Sequence, residues 1–494
     1  MNWTTLRTAT LLAVMYPSAA LARTGPQVDT RAERVTPATW RDPRAANLER
    51  ALAAIQTSNV SADIHFIASD ELAGRDSPSP GLKIAARFIR ARLERLGFVP
   101  GAPESSYFWE YQLTQHSLDE AATFATLSLD GALHRLEFGR DYFLSPNSRH
   151  DREASGTIVF VGGFDEEEVE GLDLAGQWLL LRPGTRVSRR RTHAAEKLGV
   201  AGFLIPADPN AETTVSEAFS RGTRYMRQPS LRAPRGGGAP SVNLSEVWSE
   251  RLYSDGLEVG SAVPGTFQEA WRVNAAPVTL ENVCGLWPGS DPKLRDEVII
   301  LSAHYDHVGV NQAGEIHNGA DDNGSGTTGL MAVGEALKAY GPMRRTVMLM
   351  WVSAEEKGLL GSRAWTEDPW LPEGMQPICN INIDMIGRNA PEAIGVTPTK
   401  DRPEYNRLTK LVEKHMGSEG FTTLNSADAY WNRSDHANFS RNLKIPVAFL
   451  FSDVHEDYHK PTDDPDKIDV DKLARVARLV VRLLHDLQAD ELDF

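Results

Sequence analysis

The second half of the chain alternates apolar, strand-like runs with helical patterns. Beyond residue 281, four runs have the pattern of buried strands: "EVIILSAHYDH", "TVMLMWVSAEE", "PICNINIDMIG" and "IPVAFLF". Two helical patterns lie between and after them, and their inward stripes are Leu330, Val333 and Leu337, then Leu473, Val476, Val480 and Leu483. Strands that alternate with helices predict an α/β sheet that is covered by helices on both faces.

The first half of the chain has a different pattern. "GLKIAARFIRARLERLGF" predicts an amphipathic helix that ends at Gly97. Its apolar face is formed by Ile84, Phe88, Ile89, Leu93 and Leu96. From about Tyr107 to Ala276, short β-rich pieces such as "GTIVFVGG", "GQWLLLRPG" and "VAGFLIPAD" are separated by Gly and Pro. Because 494 residues exceed what one core usually supports, two domains are expected.

The net charge excludes one class of partner. The chain has a formal net charge of -15, and its Arg-dense stretch "RVSRRRTHAAEK" is short and has the pattern of a solvated helix start. Proteins that bind nucleic acid normally present a clustered basic face. We therefore expect no nucleic-acid partner.

The N-terminus has the pattern of an export signal. "MNWTTLRTATLLAVMYPSAALA" contains Arg7, then an apolar segment, then small residues that end at Ala22. We expect the mature chain to begin at Arg23 and the protein to be exported, as a periplasmic or secreted protein. No other stretch approaches the roughly 20 apolar residues that span a bilayer, so no membrane span is expected.

Cysteine usage allows at most one disulfide bridge. Cys284 and Cys379 are the only cysteines of the chain, and both lie beside predicted strands. Free cysteine is among the most buried residue types, so two separate buried thiols are the favoured interpretation. A bridge between them is the alternative.

Acidic and imidazole side chains follow the predicted strands of the second half. The turn "NGADDNGSG" and the stretch "SDVHEDYHKPTDD" add further members to this set. The set comprises His304, Asp306, Asp321, Asp322, Glu355, Glu356, Asp384, Tyr458 and His459. Ligands of α/β sheets bind beyond the carboxyl ends of the strands, so these side chains should converge. Crowded carboxylates raise one another's pKa, so their joint presence requires a cationic partner.

A pair of divalent metal ions supplies that positive charge. Imidazole and carboxylate ligands without thiolate suit Zn²⁺ in a catalytic site, and Co²⁺ or Mn²⁺ can substitute for it. Two ions roughly 3.5 to 4 Å apart need one carboxylate that bridges them. We predict Asp321 as this bridge, and Asp322 as the residue that helps to lock the Gly-rich turn beside it.

Five motifs together resemble those of the M28 family of zinc aminopeptidases. They occur in this order: "SAHYDHVG", "NGADDNGSG", "WVSAEEKGLLGS", "NIDMIGRN" and "DYHKPTDD". The resemblance implies a three-layer α/β/α catalytic domain with a mixed central sheet. The middle of the chain, with "GTIVFVGG", "LDLAGQWLLLRPG" and "AAEKLGVAGFLI", is similar to the mainly-β protease-associated (PA) domain. The expected organisation is signal peptide 1–22, linker 23–44, catalytic domain 45–115 and 277–494, and inserted PA domain 116–276.

The resemblance also implies a role for each residue of the set. His304 and Asp384 would hold one zinc ion, Glu356 and His459 the other, and Asp321 would lie between the ions. The remaining roles would be Asp306 orienting His304, Asp322 following Asp321 through a cis peptide, Glu355 acting as general base, and Tyr458 donating a hydrogen bond to the oxyanion. His307 and His317 lie in loops near this site, where each could touch substrate or metal or serve only in packing.

The stretch "YWNRSDHANF" resembles the segment that shapes the substrate pocket in the family. Substrate-binding candidates are therefore Tyr430, Trp431, Asp435, His436 and Arg388. Ser434 or Asp435 could instead cap a helix. Five apolar side chains could either line a substrate pocket or belong to the core. They are Tyr430, Trp431, Met385, Ile386 and Phe451.

The expected function is hydrolysis of N-terminal amino acids from peptides, through a water that bridges the two ions and is activated by Glu355. Excess carboxylate near the ligands, at Asp453, Glu456 and Asp457, would attract the free α-amine of the substrate. Arg388 and Arg433 keep open a metallo-carboxypeptidase or dipeptidase of the same fold. A one-zinc glutaminyl cyclase and a non-catalytic binding protein are further alternatives. No pattern of the sequence indicates an oligomeric state.

Overall fold

The computed structural model describes residues 43–144, 151–211, 217, 229–231, 238–311 and 313–494. The expected export signal (1–22) and almost all of the expected linker (23–44) lie outside the described residues, as do most residues between 212 and 237. Across the described ranges, no helix has both the length and the apolar character needed to cross a bilayer.

Three helices precede the first strand: α1 (Pro43–Ala54), α2 (Thr57–Ile67) and α3 (Pro80–Leu96). As expected, α3 ends at Gly97, where the left-handed backbone (φ 94°) favours glycine. Its buried face consists of Gly81, Leu82, Ala85, Ala86, Ile89, Leu93 and Leu96. The expectation for Ile84 was wrong, because its side chain is 48% exposed while the neighbouring Ala85 faces the core.

A mixed sheet organises the larger core. Its strands among the described residues are β1 (Val99–Pro100), β2 (Phe108–Leu118), β11 (Val273–Trp287), β12 (Glu297–His304), β15 (Thr346–Val352), β16 (Gln376–Ile383), β17 (Ala393–Thr397), β18 (Thr423–Ser426) and β19 (Val447–Phe451). The spatial order is β1-β11-β15-β12-β16-β19-β17-β18, with β2 paired to β11. β15, β12, β16 and β19 run parallel to one another, whereas β11 is antiparallel to β15 and β17 to β19. The expected α/β fold with a mixed central sheet is confirmed.

Helices cover this sheet and bury their apolar stripes in its core. They are α7 (Gly326–Tyr340), α8 (Leu360–Glu367), α9 (Arg407–His415), α10 (His436–Asn438) and α11 (Val470–Asp486). The stripes expected on the two long helices α7 and α11 are buried in one common core. A short hairpin, β13 (Gly309–Val310) with β14 (Ile316–His317), follows β12.

The middle of the chain forms a second sheet with its own core. Its strands are β3 (Phe124–Leu129), β4 (Ala132–Leu136), β5 (Tyr142–Leu144), β6 (Arg152–Phe160), β7 (Trp178–Leu180), β8 (Gly202–Ile205), β9 (Ser241–Leu244) and β10 (Ala262–Trp271). The order is β4-β3-β10-β6-β7-β8-β9-β5, and β6 to β9 are parallel neighbours. Helices α4 (Glu166–Val169), α5 (Arg189–Lys197) and α6 (Glu246–Leu252) accompany it. Buried aromatic side chains such as Trp178, Phe267 and Trp271 fill its core.

A long two-stranded ribbon connects the two sheets. β2 and β11 pair from Phe108 opposite Val283 to Leu118 opposite Val273. The expected ends of the insertion, residues 116 and 276, lie side by side in this ribbon, where Ala276 pairs with Gln115. Residues 44–494 form one compact unit, so the division into a catalytic and an inserted domain stays a prediction.

Both cysteines are free and buried. Cys284 lies on β11 and Cys379 on β16, and two strands, β15 and β12, separate β11 from β16 in the sheet. The interpretation as two separate buried thiols is therefore confirmed.

Candidate metal centre

The acidic and imidazole side chains gather at one edge of the main sheet. Because β15, β12, β16 and β19 are parallel, their carboxyl ends meet there. His304 is the last residue of β12, Glu355 and Glu356 follow β15, Asp384 follows β16, and His459 lies in the loop after β19. The alternation of strands and helices that the sequence predicts thus brings together residues that are more than 150 positions apart in the chain.

Two groups of ligand atoms share one carboxylate, that of Asp322. On one side, His304 Nε2 lies 3.4 Å from Asp322 Oδ1 and 3.3 Å from Asp384 Oδ1. On the other side, His459 Nε2 lies 3.0 Å from Asp322 Oδ2 and 3.2 Å from Glu356 Oε2. The two oxygens of Asp322 therefore face different groups, which is the arrangement that a bridging ligand requires.

The carboxylate between the two groups is that of Asp322 and not that of Asp321, which was expected there. Oδ1 of Asp321 accepts a hydrogen bond of 2.7 Å from the backbone N–H of Gly387, and Oδ2 lies 3.3 Å from Nε2 of His455. The carboxylate of Asp463 accepts hydrogen bonds from the backbone N–H groups of both aspartates and so fixes the turn. Asp321 therefore anchors the turn while Asp322 faces the cleft. The cis peptide was expected between Asp321 and Asp322, but it lies one bond later, before Asn323.

Asp306 holds His304, although through a different atom than expected. His304 Nδ1 lies 3.2 Å from the backbone carbonyl oxygen of Asp306. Since a carbonyl only accepts, Nδ1 carries the proton and Nε2 is left free to bind a metal. The carboxylate of Asp306 lies 3.7 Å from His304 Nδ1 and accepts a hydrogen bond of 3.1 Å from the backbone N–H of Glu355.

The sequence analysis did not predict two residues that hold parts of the site in place. The hydroxyl of Ser434 donates a hydrogen bond of 2.7 Å to Oδ2 of Asp384 and so orients this carboxylate; it had been considered only as a helix cap. The guanidinium of Arg75 is fully buried and donates to the backbone carbonyls of Tyr305, Asn318 and Gly319. Arg75 thus fastens the loop after β12 to the turn that carries Asp322.

Burial and neighbouring charges have opposite effects on several pKa values of the cluster. Burial by itself lowers the pKa of His459, but hydrogen bonds to Asp322 and Glu356 raise it to about 10. Burial by itself raises the pKa of Asp322, but His304 and His459 hold it well below its usual range. Burial, helped by the charge of Glu356, raises the pKa of Glu355 well above the ordinary glutamate value. Burial raises the pKa of Asp384 as well, so a further positive charge would favour ionisation of Glu355 and Asp384.

The donor set fits two divalent metal ions. Within the described residues, Nε2 of His307 is buried without a hydrogen-bond partner, and Asp384 Oδ1 and Glu356 Oε1 face histidine nitrogens at 3.3 and 2.9 Å. Such unpaired polar atoms are costly unless a ligand satisfies them. Nitrogen and oxygen donors without thiolate suit a catalytic zinc site. Two triads whose ligand atoms lie within 4.8 Å of one another are His304, Asp322, Asp384 and His307, Asp322, Glu356.

Glu355 and Tyr458 line the cleft next to the ligand atoms. None of the described side chains donates a hydrogen bond to the Glu355 carboxylate. The backbone N–H of Glu355 donates to the carboxylate of Asp306, which fixes the main chain at this point. Burial, followed by the charge of Asp322, raises the pKa of Tyr458, so its phenol remains a hydrogen-bond donor at neutral pH. The Tyr458 ring stacks on the ring of His459 with centroids 3.9 Å apart.

Only one of the five substrate-binding candidates faces this cleft. Tyr430 lines it, and its hydroxyl donates a hydrogen bond of 2.9 Å to Asp453. The other side chains that line it beyond the cluster are Met385, Arg433, Ser434, Phe449, Phe451 and Val454. Met385 and Phe451 of the apolar-pocket alternative therefore reach the cleft, whereas Ile386 is fully buried in the core.

The other four candidates are placed elsewhere, which corrects those expectations. Trp431 packs under the guanidinium of Arg402, 4.3 Å from its ring centroid. Asp435 and His436 are fully buried, and the His436 ring stacks on Phe449 with centroids 4.6 Å apart.

Arg388, the last of the four, is neutralised within the protein. It forms a 2.9 Å ion pair with Asp457, whose carboxylate is also bound by Thr462 and Lys467. Neither side chain of this pair is therefore open to substrate, so Asp457 does not serve as the amine-attracting charge that was expected. Glu456 is 82% exposed and lies 3.6 Å from Arg388.

The two loop histidines differ in position. His307 lies inside the cluster, with Nδ1 2.9 Å from Glu356 Oε1. His317 is partly buried, and its Nδ1 lies 3.1 Å from the backbone carbonyl oxygen of His459. His317 thus supports the loop that carries His459, while the side chain of His307 lies against Glu356.

Sequence comparison finds a family and relatives. The model of peptidase family M28 matches residues 282–484, which include every ligand candidate of the cluster. A protein of Arthroderma benhamiae, named as a probable leucine aminopeptidase, is 31% identical over 280 residues, which are 49% of this chain and 74% of that protein.

Solved structures with a similar fold extend beyond the matched segment. An aminopeptidase from Aneurinibacillus sp. strain AM-1 superposes with a TM-score of 0.59 at 20% identity, over 89% of this chain and 95% of that one. A zinc aminopeptidase from Bacillus subtilis gives a TM-score of 0.53 at 19% identity, over 88% and 95%. The shared fold therefore spans both sheets.

Proposed function

The chain belongs to peptidase family M28, and on that premise we propose that it is a metallo-aminopeptidase that removes residues from the free N-terminus of peptides. The single observation that carries this proposal is the Asp322 carboxylate, whose two oxygens face two groups of buried ligand atoms beside Glu355. The aminopeptidase names of the relatives agree with it.

Two metal ions belong to this proposal. His304 and Asp384 would hold one ion and Glu356 and His459 the other, with the carboxylate of Asp322 shared between them. Zn²⁺ is the expected metal, with Co²⁺ or Mn²⁺ as substitutes. When bound, the ions supply positive charge that polarises the substrate carbonyl and lowers the pKa of water.

Glu355 moves the proton. Its carboxylate accepts a proton from the attacking water and returns it to the nitrogen of the departing amine. The position of Glu355 in the cleft supports this role, as does the absence of a competing hydrogen-bond donor among the described side chains. The protonated phenol of Tyr458 donates a hydrogen bond to the oxygen that becomes negative in the transition state.

The test uses aminoacyl p-nitroanilides with different N-terminal side chains. We expect hydrolysis that is lost with a chelator and restored by Zn²⁺, with a preference for apolar side chains because Met385, Phe449 and Phe451 line the cleft. N-acetylated versions of the same substrates should not be hydrolysed. Cleavage of the acetylated compounds alone would overturn the proposal.

One observation favours a second candidate, a dipeptidase or carboxypeptidase. Arg433 lines the cleft, is exposed, and forms no ion pair with any side chain in the described ranges, so it could bind a substrate carboxylate. If that is its role, Arg433→Gln raises KM for dipeptides but not for p-nitroanilides. Equal KM changes for both substrates would exclude it. A one-zinc cyclase is disfavoured because both ligand groups are present.

The inserted segment and the export signal also remain proposals. We propose that residues 116–276 form a PA-type domain that limits substrate size. Because Gln115 and Ala276 are paired, a short turn could replace the insertion. The shortened protein should keep its metal and cleave long peptides relatively faster; unchanged size selectivity would contradict this role. Fusion of residues 1–22 to a reporter would test export, and a reporter retained in the cytoplasm would contradict it.

A further inference from the structure

We propose that His307 is an additional protein ligand of the ion held by Glu356 and His459, so that the two metal sites are chemically unlike. This inference rests on the two-ion site proposed above. His307 is fully buried, its Nε2 has no hydrogen-bond partner within the described residues, and its Nδ1 faces the carboxylate of Glu356. A buried imidazole with an unsatisfied nitrogen is costly, so a ligand for it is expected.

The atoms around His307 are those of the second ligand group. Its Nδ1 lies 2.9 Å from Glu356 Oε1 and 3.8 Å from Asp322 Oδ2. One ligand atom each of His307, Asp322 and Glu356 therefore lies within 4.8 Å of the other two. Ligand atoms that lie this close together are expected where they converge on a common cation.

The backbone fixes the His307 ring in this position. Its N–H donates a hydrogen bond of 3.2 Å to the carbonyl of Arg75, which is itself tied to neighbouring loops. Gly319 has a left-handed backbone (φ 57°), and a Cβ built there would lie 2.4 Å from Cγ and Cδ2 of His307. A glycine is therefore required beside the ring, and the ring has little room to turn away.

The consequence is an asymmetric pair of sites. His307 and His459 flank Glu356 from two sides, with ring centroids 5.6 Å apart at an interplanar angle of 75°. Among the described residues, the group of His304, Asp322 and Asp384 contains one imidazole. Borderline-soft Zn²⁺ binds imidazole well, so we expect the site with two histidines to fill first and to release its ion last.

X-ray absorption of the protein loaded with two zinc ions tests the proposal directly. The spectrum should report three histidines shared by two ions, and His307→Ala should reduce this number to two. Two histidines in the unsubstituted protein would overturn the proposal and leave His307 as a positioning residue for Glu356. A protein that takes up no pair of ions would instead contradict the proposed function, so the two failures are distinguishable.

Metal titration gives an independent measurement. Loss of an orienting partner costs about 10- to 100-fold in metal affinity, so we expect His307→Ala to weaken one of the two sites by more than about 100-fold and to leave the other unchanged. His65→Ala, which removes a half-exposed histidine far along the chain from the cluster, is the matched control. A weakening below about 10-fold, or an equal effect on both sites, would contradict direct ligation. If His307→Ala does not fold, the spectrum of the unsubstituted protein still decides.

Discussion

The two sheets share a run of four parallel neighbours, yet they differ in the residues at and shortly after the carboxyl ends of those strands. In the first sheet these are His304 at the end of β12, Glu355 with Glu356 after β15, and Asp384 after β16. Within three residues of the ends of β6, β7, β8 and β9, the second sheet has Arg182, Asp208 and Glu246 but no histidine. The same backbone arrangement therefore carries imidazole together with carboxylates in the first sheet, whereas the described strand ends of the second sheet carry charged residues alone.

A pocket near the second sheet differs from the metal centre in the chemistry of its lining residues. Its ionisable lining residues are Arg182, Asp208, Tyr253, Asp255, Glu246 and Glu250, with no imidazole among them. Most of their charges are exposed to solvent, whereas the ligand carboxylates of the first sheet are buried. Parallel strand ends provide a place for a site, and the residues after the strands decide whether it can hold metal.

The largest effect is expected at the shared carboxylate. Asp322→Asn should weaken metal binding by at least about 100-fold, more than loss of an orienting partner costs, and should abolish activity. Asp321→Asn, one residue earlier, should retain both ions because its side chain points to Gly387 and His455. Metal analysis after dialysis checks both variants. If only the Asp321 variant lost metal, Asp321 would be the bridging ligand, as first expected from the sequence.

The next effect concerns the proton acceptor. Glu355→Gln should keep both ions but lower kcat by about 10²- to 10⁴-fold, because water loses its base while ligation is unchanged. Glu246→Gln, which follows a strand of the second sheet, is the control and should leave kcat unchanged. Steady-state kinetics with an aminoacyl p-nitroanilide gives the answer. Normal turnover by Glu355→Gln would remove the proposed mechanism.

A smaller loss of kcat is expected when the hydroxyl of Tyr458 is removed. Tyr458→Phe should lower kcat by about 10²- to 10³-fold with little change in KM, since the hydrogen bond forms only as the oxyanion develops. The matched variant Tyr253→Phe, in the pocket of the second sheet, should have normal kinetics. A rise in KM at constant kcat would instead make Tyr458 a substrate-binding residue.

The smallest effect is expected at Ser434. Its hydroxyl orients Asp384, so Ser434→Ala should weaken one metal site by about 10- to 100-fold without removing a ligand. Ser434→Thr keeps the hydroxyl and should restore part of the affinity. Competition with a chromophoric chelator measures this change. Equal affinities of the alanine variant and the unsubstituted protein would show that Asp384 needs no such support.

Much of the fold and the composition of the site could be predicted from the sequence. Apolar runs of strand length and helical stripes located β12, β15, β16 and β19 with the helices α7 and α11, because burial dictates these patterns. Parallel pairing of the strands then explained why the acids at their ends meet at one edge. Ile84 was misassigned because an apolar residue at the edge of a helical stripe can face solvent, as it does here.

The details of the turn and of the supports could not be predicted in this way. Whether Asp321 or Asp322 faces the ligands depends on the backbone of the turn, which Asp463 fixes from 142 positions away. Ser434 meets Asp384 across 50 positions, and Arg75 meets Asn318 across 243. No local pattern reports such contacts. His307 lies within the motif "SAHYDHVG", and its closeness in sequence to His304 and Asp306 was the signal for a role in the site.

Anomalous diffraction at the zinc edge from crystals of the zinc-loaded protein tests the central claim most directly. The account predicts two peaks per chain, one on each side of the Asp322 carboxylate, with His304 and Asp384 at one and Glu356 and His459 at the other. A single peak, or a pair of peaks bridged by Asp321, would contradict it.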